Sequence, residues 1–500
     1  MSMLVALPTP LPIRHGVVDR EGWLAVAQDV LAGGGRLVSL WGSSSAGAEG
    51  ARAAHAAYAF SFESGLAWIE LPLAPGEGYP DLAPLFPAAA RLQRAARDLD
   101  GIQATDAADT RPWLDHGLWG AEGDAAGALP ADYAFVRVQG EGVHEIAVGP
   151  VHAGIIEPGH FRFSVVGEKV LRLEERLGYK HKGIARRFTE LPALEAHRLA
   201  GRVSGDSTVA YAWAYCMALE AAAGCAVPAR AAWLRALLLE RERVANHLGD
   251  LGALGNDAAF ALGLAQFARL REDWQRLSMA LFGHRFMMDR IVPGGVAVDL
   301  DAEGRRRLLA QCDALEPELR QLRHIYDEHA GLQDRFIGTG RVTPQLAAQL
   351  GLTGLAGRAS AQTWDLRCAP SLPPYDGLNV NMATHRNGDV AARVSVRFDE
   401  LLESLRLLRL LCLGLPEGSL RAEALSLPAG AARGAGWVEG WRGEVFVALE
   451  LDAGAIRRCH CHDPSWQNWP VLEHAVIGNI VPDFPLINKS FNLSYAGHDL

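Results

Sequence analysis

LLERERVANHLGDLGALGNDAAF, residues 238–260, decides how this chain is read. At 3.6 residues per turn it places Glu240, Arg243 and His247 on one helix face at i, i+3 and i+7. Two readings fit that spacing. One is a polar stripe whose side-chain pairs are worth about 0.3 kcal/mol each. The other is a line of buried charge beside a site. Spacing alone does not separate them.

Outward from this segment, helical periodicity covers 186–290 and returns near 303–333 and 395–415. Strand-like alternation around glycine turns precedes it in FVRVQGEGVHEIAVGP (135–150) and FRFSVVGEKVLRLEERLGY (161–179). Alternation returns in AGWVEGWRGEVFVALEL (435–451) and AIRRCHCH (455–462). Near the N-terminus, helical stripes at 21–35 and 83–102 flank strands at 36–42 and 65–73. The Gly/Ala-rich stretch 119–133 has no periodicity and reads as a linker. The expected fold class is α+β: a small N-terminal α/β domain (1–118), a linker (119–133) and a large, mainly helical domain with peripheral β elements (134–500).

Five hundred residues, 49% of them hydrophobic and 21% charged, can bury a large interior in more than one domain. A net charge of -10 excludes a general nucleic-acid binder. The most apolar helix, LLESLRLLRLLCLGL (401–415), carries Glu403, Arg406 and Arg409 and is amphipathic, not a bilayer span. The first residues lack the basic start and cleavage site of a signal peptide. Seven scattered cysteines argue for a reducing compartment without a disulfide framework. A cytoplasmic location, soluble or peripheral to a membrane, is expected.

Three motifs invite chemistry. In LAGGGRLVSLWGSSSAG (31–47) the glycines end a helix, a strand follows and no lysine is present, so a phosphate loop is not expected. In RRCHCHDPSW (457–466) a strand would point Cys459 and Cys461 to one face and His460 and His462 to the other, which reads as structure. In VGPVHAGIIEPGHFRF (148–163) a glycine-rich turn carries His152, Glu157 and His160, a set suited to proton handling or to an ordinary polar hairpin tip.

Taken in order, GPVHAGIIEPGHFRF (149–163), GYKHKGIARRFTE (178–190), RVSGDS (202–207), ERERVANHLGDLGALGND (240–257), GHRFMMDRIVPGGV (283–296) and GLAGRASAQTWDLR (354–367) resemble a known family. It is the large subunit of membrane-bound nickel–iron hydrogenases of the formate-hydrogenlyase type, homologous to the quinone-site subunit of NADH-quinone oxidoreductase (complex I). Residues 79–102 and 109–119 resemble the smaller peripheral-arm subunit that is fused in front in C/D subunits, which makes 1–118 a docking module. The resemblance implies four cysteine thiolates holding nickel and iron. Those positions fall on Ser204, Ser207, Ser494 and Gly497, so no metal is expected on this chain. It also implies a quinone-contacting histidine and tyrosine, which fall on Pro158 and Gly205, with Tyr211 and Tyr495 as substitutes near the same cavity. Arg202, Asp206, Arg358, Asp365 and Arg367 remain as polar shell positions: ion-pair architecture, or a proton path and headgroup contact.

The resemblance therefore implies an oxidoreductase subunit on the cytoplasmic side of the membrane. Its partners would be a small subunit carrying an iron–sulfur cluster and antiporter-like membrane subunits. Electron transfer, with quinone as the implied acceptor, would drive ion translocation without a cofactor bound by this chain. A catalytically silent structural subunit and an active formate-hydrogenlyase-type hydrogenase are the alternatives.

Overall fold

The computed structural model describes residues 4–44, 52–60, 65–117, 119, 133–153 and 156–500. Residues 45–51 and all of the expected linker but its end residues lie outside the described residues. In the N-terminal part, strands Val5–Ala6, Ile13–Val17, Leu66–Leu73, Arg52–Ala59 and Arg36–Ser44 form one sheet in that spatial order. Ile13–Val17 runs parallel to Leu66–Leu73 and the other pairs are antiparallel. Helix Arg20–Ala32 starts where the Asp19 side chain accepts from Gly22 N at 2.8 Å. Helix Ala89–Asp100 ends on Gly101 at φ 64°. Strand Arg52–Ala59 went unread in the sequence because RAAHAAYA is apolar on both faces and shows no alternation.

In the larger part, three antiparallel strands, Val143–Val148, His160–Val166 and Lys169–Arg176, precede the helices. The strand expected from Phe135 begins only at Val143. Over 135–138 side chains take the place of a ladder: Val136 N donates to Glu174 Oε2 at 2.8 Å and the Phe135 ring lies under the Arg162 guanidinium. Helix Thr208–Ala223 is the centre of the molecule, buried at every position from Thr208 to Ala221. It packs on Ala229–Asp257, which carries Ala261–Phe282 and Val390–Leu413 in turn, with Ala302–Glu328 against those two. No described helix is long and apolar enough to cross a membrane.

An antiparallel sheet of Ala432–Glu439, Glu444–Asp452 and Ala455–His462 lies on the central helix. Gly434 and Gly436 permit this contact, because a Cβ at either would overlap the carbonyl of Ala218 or Ala214. The last strand alternates as its sequence predicts. Cys459 and Cys461 are buried beside Tyr215 of the central helix. On the other face His460 stacks on Trp41 at 4.3 Å and meets Ser39 Oγ at 2.7 Å, and His462 holds Gln467. Arg36 with Glu444 pairs the first sheet with the last, and Arg458 with Asp100 pairs the last sheet with helix Ala89–Asp100. Three short helices, Ser465–Ala475, Phe484–Phe491 and Tyr495–Asp499, complete the chain.

The opening segment is settled in favour of buried charge. Glu240, Arg243 and His247 are all fully buried in helix Ala229–Asp257.

Candidate functional site

Ser204 precedes a single 3-10 turn, Gly205–Ser207, that feeds the central helix. Ser494 caps the C-terminal helix, its Oγ accepting from Gly497 N at 2.8 Å. Segments 290 residues apart in the chain meet here. Ser494 Oγ lies 2.8 Å from Ser204 Oγ, and Ser204 Oγ donates to Asp206 Oδ1 at 2.7 Å. Because an amide N–H can only donate and an ionised carboxylate can only accept, the direction is fixed: Gly497 N–H to Ser494, Ser494 to Ser204, Ser204 to Asp206.

Arg442 closes the chain. It sits at the tip of the hairpin between Ala432–Glu439 and Glu444–Asp452, on the face of Trp441 at 4.2 Å. Its Nη2 reaches Asp206 Oδ2 at 2.5 Å and its Nε donates to Asn492 O at 2.6 Å. Ser207 Oγ lies between them, 3.3 Å from Asp206 and 3.4 Å from Arg442. The Arg442 side chain is 3% exposed and that of Asp206 is 36% exposed, so solvent reaches the pair from the acidic side. Burial raises the Asp206 pKa, but Arg442 and the two serine hydroxyls hold it below its ordinary value.

The acid faces a cleft of about 440 Å³, also bordered by Glu157, Asp257, Lys489, Ser494 and Tyr495. Behind the turn, Glu242 accepts from Val209 N and Ala210 N at 2.7 and 3.2 Å. Burial pushes its carboxyl up to about 8 against those two bonds.

The four positions where the resemblance implies thiolates therefore converge, and their chemistry is changed. Three carry hydroxyls. The fourth, Gly497, has no room for a side chain, since a Cβ would overlap the Asp463 carboxylate, which accepts from Tyr211 Oη at 2.8 Å. A nickel–iron centre needs soft thiolates, whereas serine oxygens are hard and stay protonated near neutral pH. All seven cysteines lie elsewhere and unpaired, and among the described residues no cluster of His, Cys, Asp and Glu could hold an ion. These residues do not fit a nickel–iron centre.

The other expected residues divide between the cleft and two further places. Glu157 lines the cleft and accepts from Ala496 N at 3.0 Å. His152 and His160 bond the carbonyls of Gly159 and Gly149, tying their own hairpin together at 2.7 and 3.2 Å. Arg202 turns to the surface and pairs with Asp289 at 2.6 Å. Arg358, Asp365 and Arg367 belong to a buried ion network. In it Arg358 binds Glu400 and Glu439, Arg367 binds Asp365 and Glu240, and His247 Nε2 meets Glu400 at 2.8 Å. Its link to the cleft is Trp441, whose ring is perpendicular to His247 and whose Nε1 donates to Asp206 O at 2.9 Å. Tyr495 borders the cleft, and Tyr211 stands behind it.

Sequence reasoning did not single out Arg442, Asp463, Asp257 or Lys489. The one signal for Arg442 was its place in GWRGE (440–444), a long cation between two glycines at a hairpin tip. Asp463 stood at the start of the DPSW motif without a visible role.

Comparison with known proteins finds relatives over most of the chain. The family described as "Respiratory-chain NADH dehydrogenase, 49 Kd subunit" matches residues 254–433. The chain is 33% identical over 353 residues to the carbon monoxide-induced hydrogenase of Rhodospirillum rubrum, covering 70% of this chain and 97% of that protein. It is 30% identical over 466 residues to formate hydrogenlyase subunit 5 of Escherichia coli (strain K12), covering 88% and 81%. Among solved structures, a chain of the membrane-bound sulfane sulfur reductase, an archaeal respiratory membrane complex, superposes with a TM-score of 0.67 at 26% identity. That match covers 72% of this chain and 98% of the other.

Proposed function

This chain belongs to the family that holds the 49 kDa subunit of respiratory-chain NADH dehydrogenase and the large subunits of membrane-bound hydrogenases, and on that premise we propose that it receives electrons from an iron–sulfur partner and passes them to a quinone at the cleft, without a nickel–iron centre. It is an oxidoreductase subunit of a complex I-like or hydrogenase-related membrane assembly. Within our reading it sits peripherally on the cytoplasmic side, and antiporter-like subunits convert the electron transfer into ion movement. The N-terminal part (1–118) docks the arm.

The observation that carries this reading is the cleft floor. Ser204 and Ser494 line it, Ser207 and Gly497 stand just behind them, and an Asp206–Arg442 pair stands beside them, open to solvent on its acidic side. A polar floor with a solvent-facing carboxylate and a fixed guanidinium suits a carbonyl headgroup whose oxygen becomes a hydroxyl on reduction. Thiolate-bound metal does not suit it.

The closed chain of serine hydroxyls supports a second reading, a silent structural subunit whose polar groups satisfy one another. One experiment separates the readings: metal analysis of the purified assembly together with binding of a quinone analogue to wild type and to Asp206→Asn. Substoichiometric nickel and binding weakened about tenfold by the substitution support our reading. Stoichiometric nickel sinks it, and absent analogue binding leaves the structural subunit.

A further inference from the structure

Behind the cleft wall lies a carboxyl group with no role so far. Glu175, in strand Lys169–Arg176, is fully buried. Its Oε2 accepts from Arg91 Nη1 at 2.9 Å, and its Oε1 has no hydrogen-bond partner. Arg91 also pairs with Glu473 at 2.7 Å, and Glu473 Oε1 accepts from Glu175 N at 2.7 Å. The guanidinium is pinned over Trp113 at 4.5 Å.

One cation thus serves two carboxyls, and the Glu473 side chain is the more exposed, at 21% against 0%. An ionised oxygen buried without a donor is costly, and a single guanidinium neutralises a single carboxylate. Glu175, the sealed one of the two and the one with an unpartnered oxygen, is where a proton is favoured. Burial raises the Glu175 pKa, Arg91 opposes it and the Glu473 charge adds to it, with a raised value as the net result. The neighbours on its own strand are held elsewhere: Glu174 by Arg111, and Arg176 on the carbonyl of Pro112.

On the cleft side stands Tyr495. Its Oη has no partner at hydrogen-bond geometry. Its ring packs on Gly159, where a Cβ would come within 2.6 Å, and stands edge-on to Phe161 at 6.5 Å. Phe161 is the cross-strand partner of Glu175. Burial and then the nearby Asn488, Glu175 and Glu157 side chains govern the phenol, whose pKa is raised.

We propose that Tyr495 and Glu175, joined through one water, are the proton inlet of the cleft, with Arg91 and Glu473 as its solvent end. The proposal rests on the quinone reading above. When a bound quinone takes electrons from the iron–sulfur partner, its oxygen takes the Tyr495 proton. Glu175 returns a proton through the water to the phenolate and is left as a carboxylate beside Arg91. A solvent proton arriving past Glu473 restores it, so each group gives one proton and receives one. Tyr495, whose ring borders the cleft and whose Oη is buried, stands between the acceptor and the interior, and Glu175 is a relay behind it. Arg91 comes from the N-terminal part, which thereby shapes the proton supply besides docking the arm.

Infrared spectra of the purified assembly, titrated between about pH 5 and about pH 9 without quinone, test the relay directly. At neutral pH the difference spectrum between wild type and Glu175→Gln should contain a protonated carboxyl band distinct from that of Glu242, and this band should weaken in Glu473→Gln, where Arg91 is left with Glu175 alone. Glutamine copies the shape of the neutral acid, so Glu175→Gln should bind a quinone analogue within about twofold of wild type while turnover falls about a hundredfold. Tyr495→Phe should slow turnover equally and keep the band. A wild-type minus Glu175→Gln difference spectrum without a protonated carboxyl band, or full turnover in Tyr495→Phe, overturns the proposal. A wild type that binds no analogue defeats the quinone reading instead, and the resting-state band still reports on Glu175.

Discussion

Ser494 donates its hydroxyl to Ser204 at 2.8 Å, tying the cap of the last helix to the turn that starts the central one. The bond makes the remodelled positions a structural joint as well as a cleft floor. Ser494→Ala removes the acceptor for Gly497 N and the donor to Ser204. It should lower stability by about 1 kcal/mol, read as a shift of the thermal unfolding midpoint. An unchanged midpoint would mean that the joint carries no stability.

Reinstating the thiolates should fail at one position more than at the others. Ser204→Cys, Ser207→Cys and Ser494→Cys exchange side chains of similar shape. Gly497→Cys drives its Cβ into the Asp463 carboxylate, which Tyr211 holds in place. The fourth change alone should destabilise by roughly 1–3 kcal/mol. The fourfold variant should bind nickel substoichiometrically by elemental analysis. Full occupancy with normal stability would show that the floor reshapes freely.

Arg442→Ala leaves Asp206 without its cation but with solvent at hand, so a loss of about 1–2 kcal/mol is expected, below that for a sealed ion pair. The Asp206 pKa is depressed in the fold, so its contribution is present above its unfolded value and lost as pH falls through the folded one. Acid unfolding of Arg442→Ala should lose that component. Chemical denaturation of both proteins from neutral pH down to about pH 3 measures it.

Glu242 has the opposite sign. Its carboxyl is raised to about 8, so the unfolded chain gives up its proton first and stability falls as pH rises from the ordinary carboxylate range to about 8. Glu242→Gln should flatten that slope. Equal slopes in the two proteins would mean that the group stays ionised.

Much of this was legible in the chain before its fold. The Cys459–His462 alternation predicted that the cysteines and the histidines face opposite ways, and strand geometry delivered it. The convergence of residues 204 and 494 came from matching two distant segments to one family. What stayed hidden has a common cause. Arg442 meets Asp206 from another sheet, and no local period ties them together. Arg202 lies near Asp206 in sequence, yet the turn at Gly205–Ser207 sends it to Asp289. His152 and His160 looked like a proton-handling pair, but the hairpin's own carbonyls engage them. Glu240, Arg243 and His247 shared a helix face, but only tertiary packing decided that this face is dry.

The glycines at 434 and 436 have a consequence beyond packing. They let the strand leading to Arg442 ride directly on the backbone of the central helix, whose first turn follows Ser204 and Asp206. The two halves of the ion pair are thus indexed to one another by a rail with no side-chain play. A single methyl group added at position 436 would lift the hairpin like a lever and withdraw the guanidinium without touching the cleft. The freedom of this site to acquire new chemistry over evolutionary time is therefore set by a pair of residues that border no ligand.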